Sequence, residues 1–186
     1  TGAWPQATYG KEAMGLAPGT IRSLRAMAAA TVSGNAAGKC ATTLIWLALG
    51  PDNDPAVRAA VDQVRMWFQL VAQHGAMYQV SKAWWEAKAR YHRSDNPWGT
   101  VTGPLAATLA TLVTIGWDPV SPLKWRDHEG QKWEYSGAGS LYPLLQAVKQ
   151  AASLKIWGMA SQHHLGAGLE AGVDMTVFQR VYKKLV

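Results

Sequence analysis

The chain has 186 residues, enough to bury a core of its own as one domain or two small helical lobes. Lys and Arg number 18 against 12 Asp and Glu, giving +6 at pH 7 and an isoelectric point near 9.6, a balance that favours polyanionic partners. No apolar run reaches the ~18 residues of a membrane span, and the single cysteine, Cys40, excludes an intramolecular disulfide and any cysteine-cluster metal site.

Residues 1–18 hold Gly2, Pro5, Gly10, Gly15 and Pro18 and read as an irregular leading segment. Thr20 then caps a helix whose apolar positions Ile21, Leu24, Met27 or Ala28, and Val32 recur at helical spacing, with Gly34 as its stop. Residues 39–49 suit a short helix, although the TTLIWLA core can also be read as a strand, since short apolar runs are ambiguous. The clearest helix covers 55–74: Asp54 caps it, Pro55 takes the first helical position, and Val57, Val61, Val64, Trp67 or Phe68, and Val71 form one stripe. After Gly75 another helix carries AMYQVSKAWWEAKARYH, and SDNPWG turns the chain because Pro97 forbids a continuous helix.

Gly103 opens a further helix, with Leu105, Leu109, Leu112 and Val113 inward and Gly116 past its end. In LKWRDHEGQKWEYSG the period changes to two, and HEGQ can turn a small β-hairpin with aromatic residues paired across it. Ser140 begins a long helix to about His163, and Asp174 caps a last one ending near Leu185. The fold class is therefore mainly α, about six helices with room for one hairpin near 123–135. Two helical lobes are expected, 1–98 and 99–186, packed as one unit.

Composition poses its own question, because ten Trp accompany only two Phe. Trp joins a large apolar face to one N–H donor, so it serves cores, interfaces and base-stacking platforms, and burial is expected to claim more than half of them. The lone cysteine fits a reducing, intracellular setting, nuclear or cytoplasmic, and the start at Thr1 suggests a piece of a longer protein.

Several motifs invite chemistry. Gly34 to Cys40 resembles a phosphate loop, but the first glycine position is Ser33, the hydroxyl position is Cys40, and a helix rather than a strand precedes it. Asp52 with Glu86 and Lys88 supplies the residue types of a metal-dependent nuclease, whose two parts normally lie on adjacent strands. His163 and His164 are adjacent, so on a helix they point ~100° apart and do not chelate together. No nucleophile elbow is present, and no catalytic residue, metal ligand or cofactor site is assigned.

SKAWWEAKARYHR is more informative. Lys82, Lys88, Arg90 and Arg93 offer cations to phosphate and Trp84, Trp85 and Tyr91 offer flat rings to bases, all on one helix. A solvated helix face over two core tryptophans accounts for the same residues. Lys124, Arg126 and Lys132 form a further basic spot on the expected hairpin, and Arg180, Lys183 and Lys184 complement the dipole of the last helix.

WPQATYGKEA, IRSLRAMAAATVSGNAAGKC and DNDPAVRAAVDQVRMW, followed by GPLAATLATLVTIGW, WRDHEGQKW and GLEAGVDM, resemble the region downstream of the polymerase core in reverse transcriptases of LINE-type retroelements, in the form abundant in dinoflagellate genomes. The resemblance spans most of the chain on scattered Trp, Gly and Pro landmarks. It implies a helical thumb or connector beside the template–primer, with RNA or DNA and the rest of a larger polyprotein as partners. Tyr9, Gly10, Leu24, Arg25 and Trp67 match structural landmarks. The family's aromatic-x-Asp-Asp signature is missing, since the chain contains no Asp-Asp pair, so polymerase activity is not implied. The expectation is a non-catalytic nucleic-acid-binding domain without a membrane segment. The alternative is a protein-interaction module whose exposed tryptophans anchor a partner, with the nuclease third.

Overall fold

A computed structural model describes residues 10–34, 38–73, 77–163, 166–174 and 180. The fold is mainly α with one two-stranded antiparallel hairpin. It comprises two compact units, one from the residues up to Ala17 with Ala59–Val148, the other from Pro18–Arg58 with the residues from Lys149 onward. This division differs from the expected break after residue 98, because each unit gathers segments distant in sequence. Among the described residues no helix is long and apolar enough to cross a membrane.

In the second unit, α2 runs Pro18–Ser33 and α3 runs Ala41–Ala48; the short helix α1, Lys11–Met14, belongs to the first. Helix α2 starts two residues before Thr20, with Pro18 preset for a first helical position. It stops at Gly34, whose φ of 62° is left-handed and whose N–H reaches the Ala30 carbonyl at 2.9 Å. The ambiguous TTLIWLA segment is helical: Thr42, Ile45 and Trp46 are buried at helical spacing, and a strand there would divide them between two faces. Ile45 and Trp46 form a core with Ala29 and Trp157, the two indoles meeting edge to face at 5.2 Å.

Asp54 organises this unit. Its carboxylate is fully buried and accepts from the Ala56 N–H at 2.9 Å, the cap expected at the start of α4, Pro55–Gln73. It also receives Arg25 Nε at 3.0 and 3.1 Å and the Trp46 indole N–H at 3.2 Å. Arg25 Nη2 reaches on to Thr42 Oγ1 at 2.7 Å, so one anion joins α2, α3 and the first turn of α4. The Pro51–Asn53 turn carries Asp52, whose carboxylate pairs with Lys149.

The first unit is built on α4, α5 (Met77–Arg93), α6 (Gly103–Thr114) and the hairpin β1 (Lys124–Arg126) and β2 (Lys132–Glu134). Of the expected α4 stripe, Val57, Val64, Trp67 and Phe68 are buried, while Val61 and Val71 are half-buried and Ala60 joins the core. Gln63 on the same helix donates to Thr108 Oγ1 at 3.1 Å. Leu109 and Leu112 of α6 are fully buried, whereas Leu105 and Val113 are half-buried. Within the described part of the leading segment, from Gly10 onward, the short helix α1 precedes Gly15, whose φ is 73°. A Cβ there would stand 2.9 Å from Ala107 Cβ, so backbone and α6 approach too closely for any larger residue.

The hairpin pairs Trp125 with Trp133, as the alternation predicts. Phe68 of α4 packs on Trp125 at 5.0 Å and stacks on Tyr135 at 4.2 Å, supplying the helix a marginal hairpin needs. Helix α7 covers Ala138–Ser161, and Ser140 closes its first turn by donating to the Gly137 carbonyl at 2.8 Å. The expected last helix, with Lys183 and Lys184, lies outside the described residues except for Asp174 and Arg180, which are exposed. Tyr9 and His164 lie outside them as well.

Replacing Asp54 by Ala removes a helix cap and strands a nearly buried guanidinium, so we expect a loss of roughly 3–5 kcal/mol in urea unfolding. Trp67→Phe, which keeps the ring packing but removes the indole N–H that donates to the Pro122 carbonyl at 2.9 Å, should cost less, about 1–3 kcal/mol.

Candidate nucleic-acid interface

Helix α5 has two faces. Trp84, Ala87 and Tyr91 occupy the buried one at helical spacing. Tyr78, Lys82, Trp85, Glu86, Arg90, His92 and Arg93 are exposed. Four Lys and Arg residues on this helix accompany a single carboxylate, Glu86.

The residues singled out in SKAWWEAKARYHR therefore separate into three groups. Trp84 is fully buried, tilted against Trp67 of α4 at 5.6 Å, and donates its indole N–H to the Pro119 carbonyl at 3.3 Å. Tyr91 is buried too, and burial raises its phenol pKa against the opposing bond to Thr114. Neither ring leaves a face for a base, so the stacking role expected of Trp84 and Tyr91 gives way to a core role. Lys88 is committed within the molecule: it pairs with Asp118 at 2.9 Å, donates to the Pro119 carbonyl at 3.1 Å and lies 5.7 Å from the centre of the Trp85 ring. Lys82, Trp85, Arg90 and Arg93 remain on the open face.

Trp85 is 54% exposed and Tyr78 is 85% exposed. With Lys82 between them at i+4 from Tyr78 and i−3 from Trp85, they form one row along the helix. Ala89 and Arg93 prolong that row, over a rise of about 22 Å from Tyr78. An exposed ring beside exposed cations can stack on a base while the cations meet the flanking phosphates.

Tyr78 carries a signal that the basic-run reading passes over, because it lies seven residues before Trp85 and outside the charged stretch. Tryptophan richness itself is a structural property. Trp46, Trp67, Trp84, Trp117, Trp125 and Trp157 are buried, Trp98 and Trp133 are half-buried, and Trp85 alone is exposed among the described residues.

The remaining candidates have local explanations. Lys39 donates to Ser33 Oγ at 3.3 Å in a turn that follows helix α2, not a strand. Cys40 is exposed at the start of α3; burial raises its thiol pKa, but hydrogen bonds from Thr43 and Thr42 outweigh this and hold it below the ordinary value. Asp52 and Glu86 belong to different units, and Lys88 is held by Asp118. Among the described residues no three His, Cys, Asp or Glu side chains gather to hold a metal ion.

The hairpin tip is fixed by Asp127. Its Oδ1 accepts from the N–H groups of Glu129 and Gln131 at 3.0 and 2.9 Å, and its Oδ2 accepts from the Trp133 indole at 2.9 Å. Partial burial would raise the Asp127 pKa, yet the bonds from Trp133, Gln131 and Glu129 prevail and lower it. Compared with family models, curated proteins and solved structures, the chain matches none.

Because the folded carboxyl of Asp127 titrates below its ordinary value of 3.8, its contribution is complete above that pH and is lost as pH falls through the lower folded value. Asp127→Ala should lower stability by roughly 1–2 kcal/mol at neutral pH. It should also flatten the acid limb of a tryptophan-fluorescence titration as pH falls below the ordinary carboxylate value of 3.8.

Proposed function

We propose that this chain is a non-catalytic nucleic-acid-binding domain that attaches to the phosphate backbone through the open face of α5. The observation that carries the reading is the row of Tyr78, Lys82, Trp85 and Arg93, with Arg90 beside it, on an exposed helix face bearing one carboxylate. The net charge of +6 supports attraction to a polyanion. Recognition in this scheme is electrostatic with aromatic support, so it follows backbone and exposed bases rather than a sequence. The resemblance to LINE-type reverse transcriptases extends the proposal to a thumb or connector that holds template and primer, within a larger polyprotein.

A protein-interaction face is the second reading, and the exposure of Tyr78 and Trp85 favours it. Aromatic anchors are common at such interfaces, but they usually sit among residues depleted in charge. Here cations flank them on the same face.

Fluorescence anisotropy with labelled single-stranded RNA, duplex DNA and an RNA–DNA hybrid at two salt concentrations tests the proposal. We expect saturable binding that weakens with salt, and a loss of more than about tenfold in affinity for Lys82→Glu combined with Arg93→Glu. Trp85→Ala should weaken single-strand binding by roughly 1–3 kcal/mol and duplex binding by less. Affinity unchanged in both variants would point instead to the protein-interaction reading.

A further inference from the structure

The outer face of the hairpin sets two cations directly opposite each other, with Asp118 on the far side of one of them. Arg126 and Lys132 stand directly opposite each other in the β1–β2 register. Arg126 exchanges both its backbone bonds with Asp118 on its other side, at 2.8 and 2.9 Å. Toward β2 it therefore forms a non-hydrogen-bonded pair, the narrower antiparallel spacing, with Cα atoms about 4.5 Å apart. Trp125 of the same strand turns inward, so Arg126 and Lys132 both project outward and are exposed.

Like charges placed directly opposite destabilise a strand pair. The next row shows the ordinary solution, since Lys124 faces Glu134 and pairs with it at 3.0 Å. Nearby carboxylates are engaged elsewhere. Asp118 is held by Lys88, and Asp127 by the turn and Trp133. Among the described residues neither Arg126 nor Lys132 has an ion-pair partner.

This pair is also linked to the edge of α5 through Lys88 and the backbone of Asp118. Lys88 lies beside the Trp85 ring and pairs with Asp118; Asp118 bridges to Arg126, and Arg126 faces Lys132. We propose that Arg126 and Lys132 form a two-point phosphate-binding pair, so that the nucleic-acid backbone crosses the hairpin as well as α5. The inference rests on the nucleic-acid reading above and extends its footprint to a second element. A phosphate between the two side chains would meet both cations at once and relieve their mutual repulsion.

Three variants of the full chain and a labelled single-stranded RNA of about twenty nucleotides test this. Arg126→Gln with Lys132→Gln should weaken binding about tenfold at low salt and reduce the slope of log affinity against log salt by about one to one and a half. Its melting temperature should stay level or rise. Lys132→Glu should raise the melting temperature while weakening binding, opposite signs that a merely structural role would not give. Lys82→Glu with Arg93→Glu serves as the α5 control. If the hairpin variants keep wild-type affinity and salt slope while the control loses binding, the hairpin inference is overturned and the α5 reading stands. If the wild-type chain does not bind, or the control binds as tightly as wild type, the α5 reading fails. In the first of those cases the hairpin inference falls with it, and in the second it is judged by the hairpin variants alone.

Discussion

Buried loop carbonyls need donors, and the connection between α6 and the hairpin depends on side chains to supply them. Pro119 and Pro122 have no N–H of their own, so this segment cannot be satisfied by a regular ladder. Trp84 donates to the Pro119 carbonyl, Trp125 to that of Ser121 and Trp67 to that of Pro122. Each indole fills core volume and provides one N–H at its edge, a combination Phe lacks. That is a physical reason for ten Trp beside two Phe.

The same constraint decides what α5 can offer a partner. Trp84 and Lys88 both reach the Pro119 carbonyl, and Tyr91 turns toward Thr114, so one side of the helix is consumed in holding the fold. What remains outside is the Tyr78, Lys82, Trp85, Arg90 and Arg93 face. Lys88 stands at the boundary, beside the Trp85 ring on one side and paired with Asp118 on the other. Through Asp118 it links the helix to the outer face of the hairpin, where Arg126 and Lys132 lie opposite each other.

The second unit solves a different problem with one buried anion. Asp54 needs several donors to be tolerated out of water, and it receives a guanidinium, an indole N–H and a backbone N–H from three elements. Such a carboxylate fixes the geometry of its donors as firmly as they neutralise it. Trp157 shows the opposite condition, with a buried indole N–H that has no hydrogen-bond partner among the described residues and an edge that a Cβ at Gly172 would meet at 2.9 Å.

Local rules read from the sequence account for much of the architecture. Asp54 followed by Pro55 marks the start of α4, the period-two pattern around HEGQ marks the hairpin, and Gly34 marks the stop of α2, because capping, alternation and left-handed glycine are decided within a few residues. The basic and aromatic character of α5 is equally plain in its composition. Which of its residues face outward is not, since Trp84 and Trp85 are chemically alike and neighbours in sequence. Only the packing of α4 and the carbonyls of a loop more than thirty residues further along the chain separate them. By itself the sequence determined the long described helices, the hairpin and the sign of the charge; the tertiary structure alone decided that TTLIWLA is helical and which rings and cations stay exposed, because burial depends on contacts that no local pattern encodes.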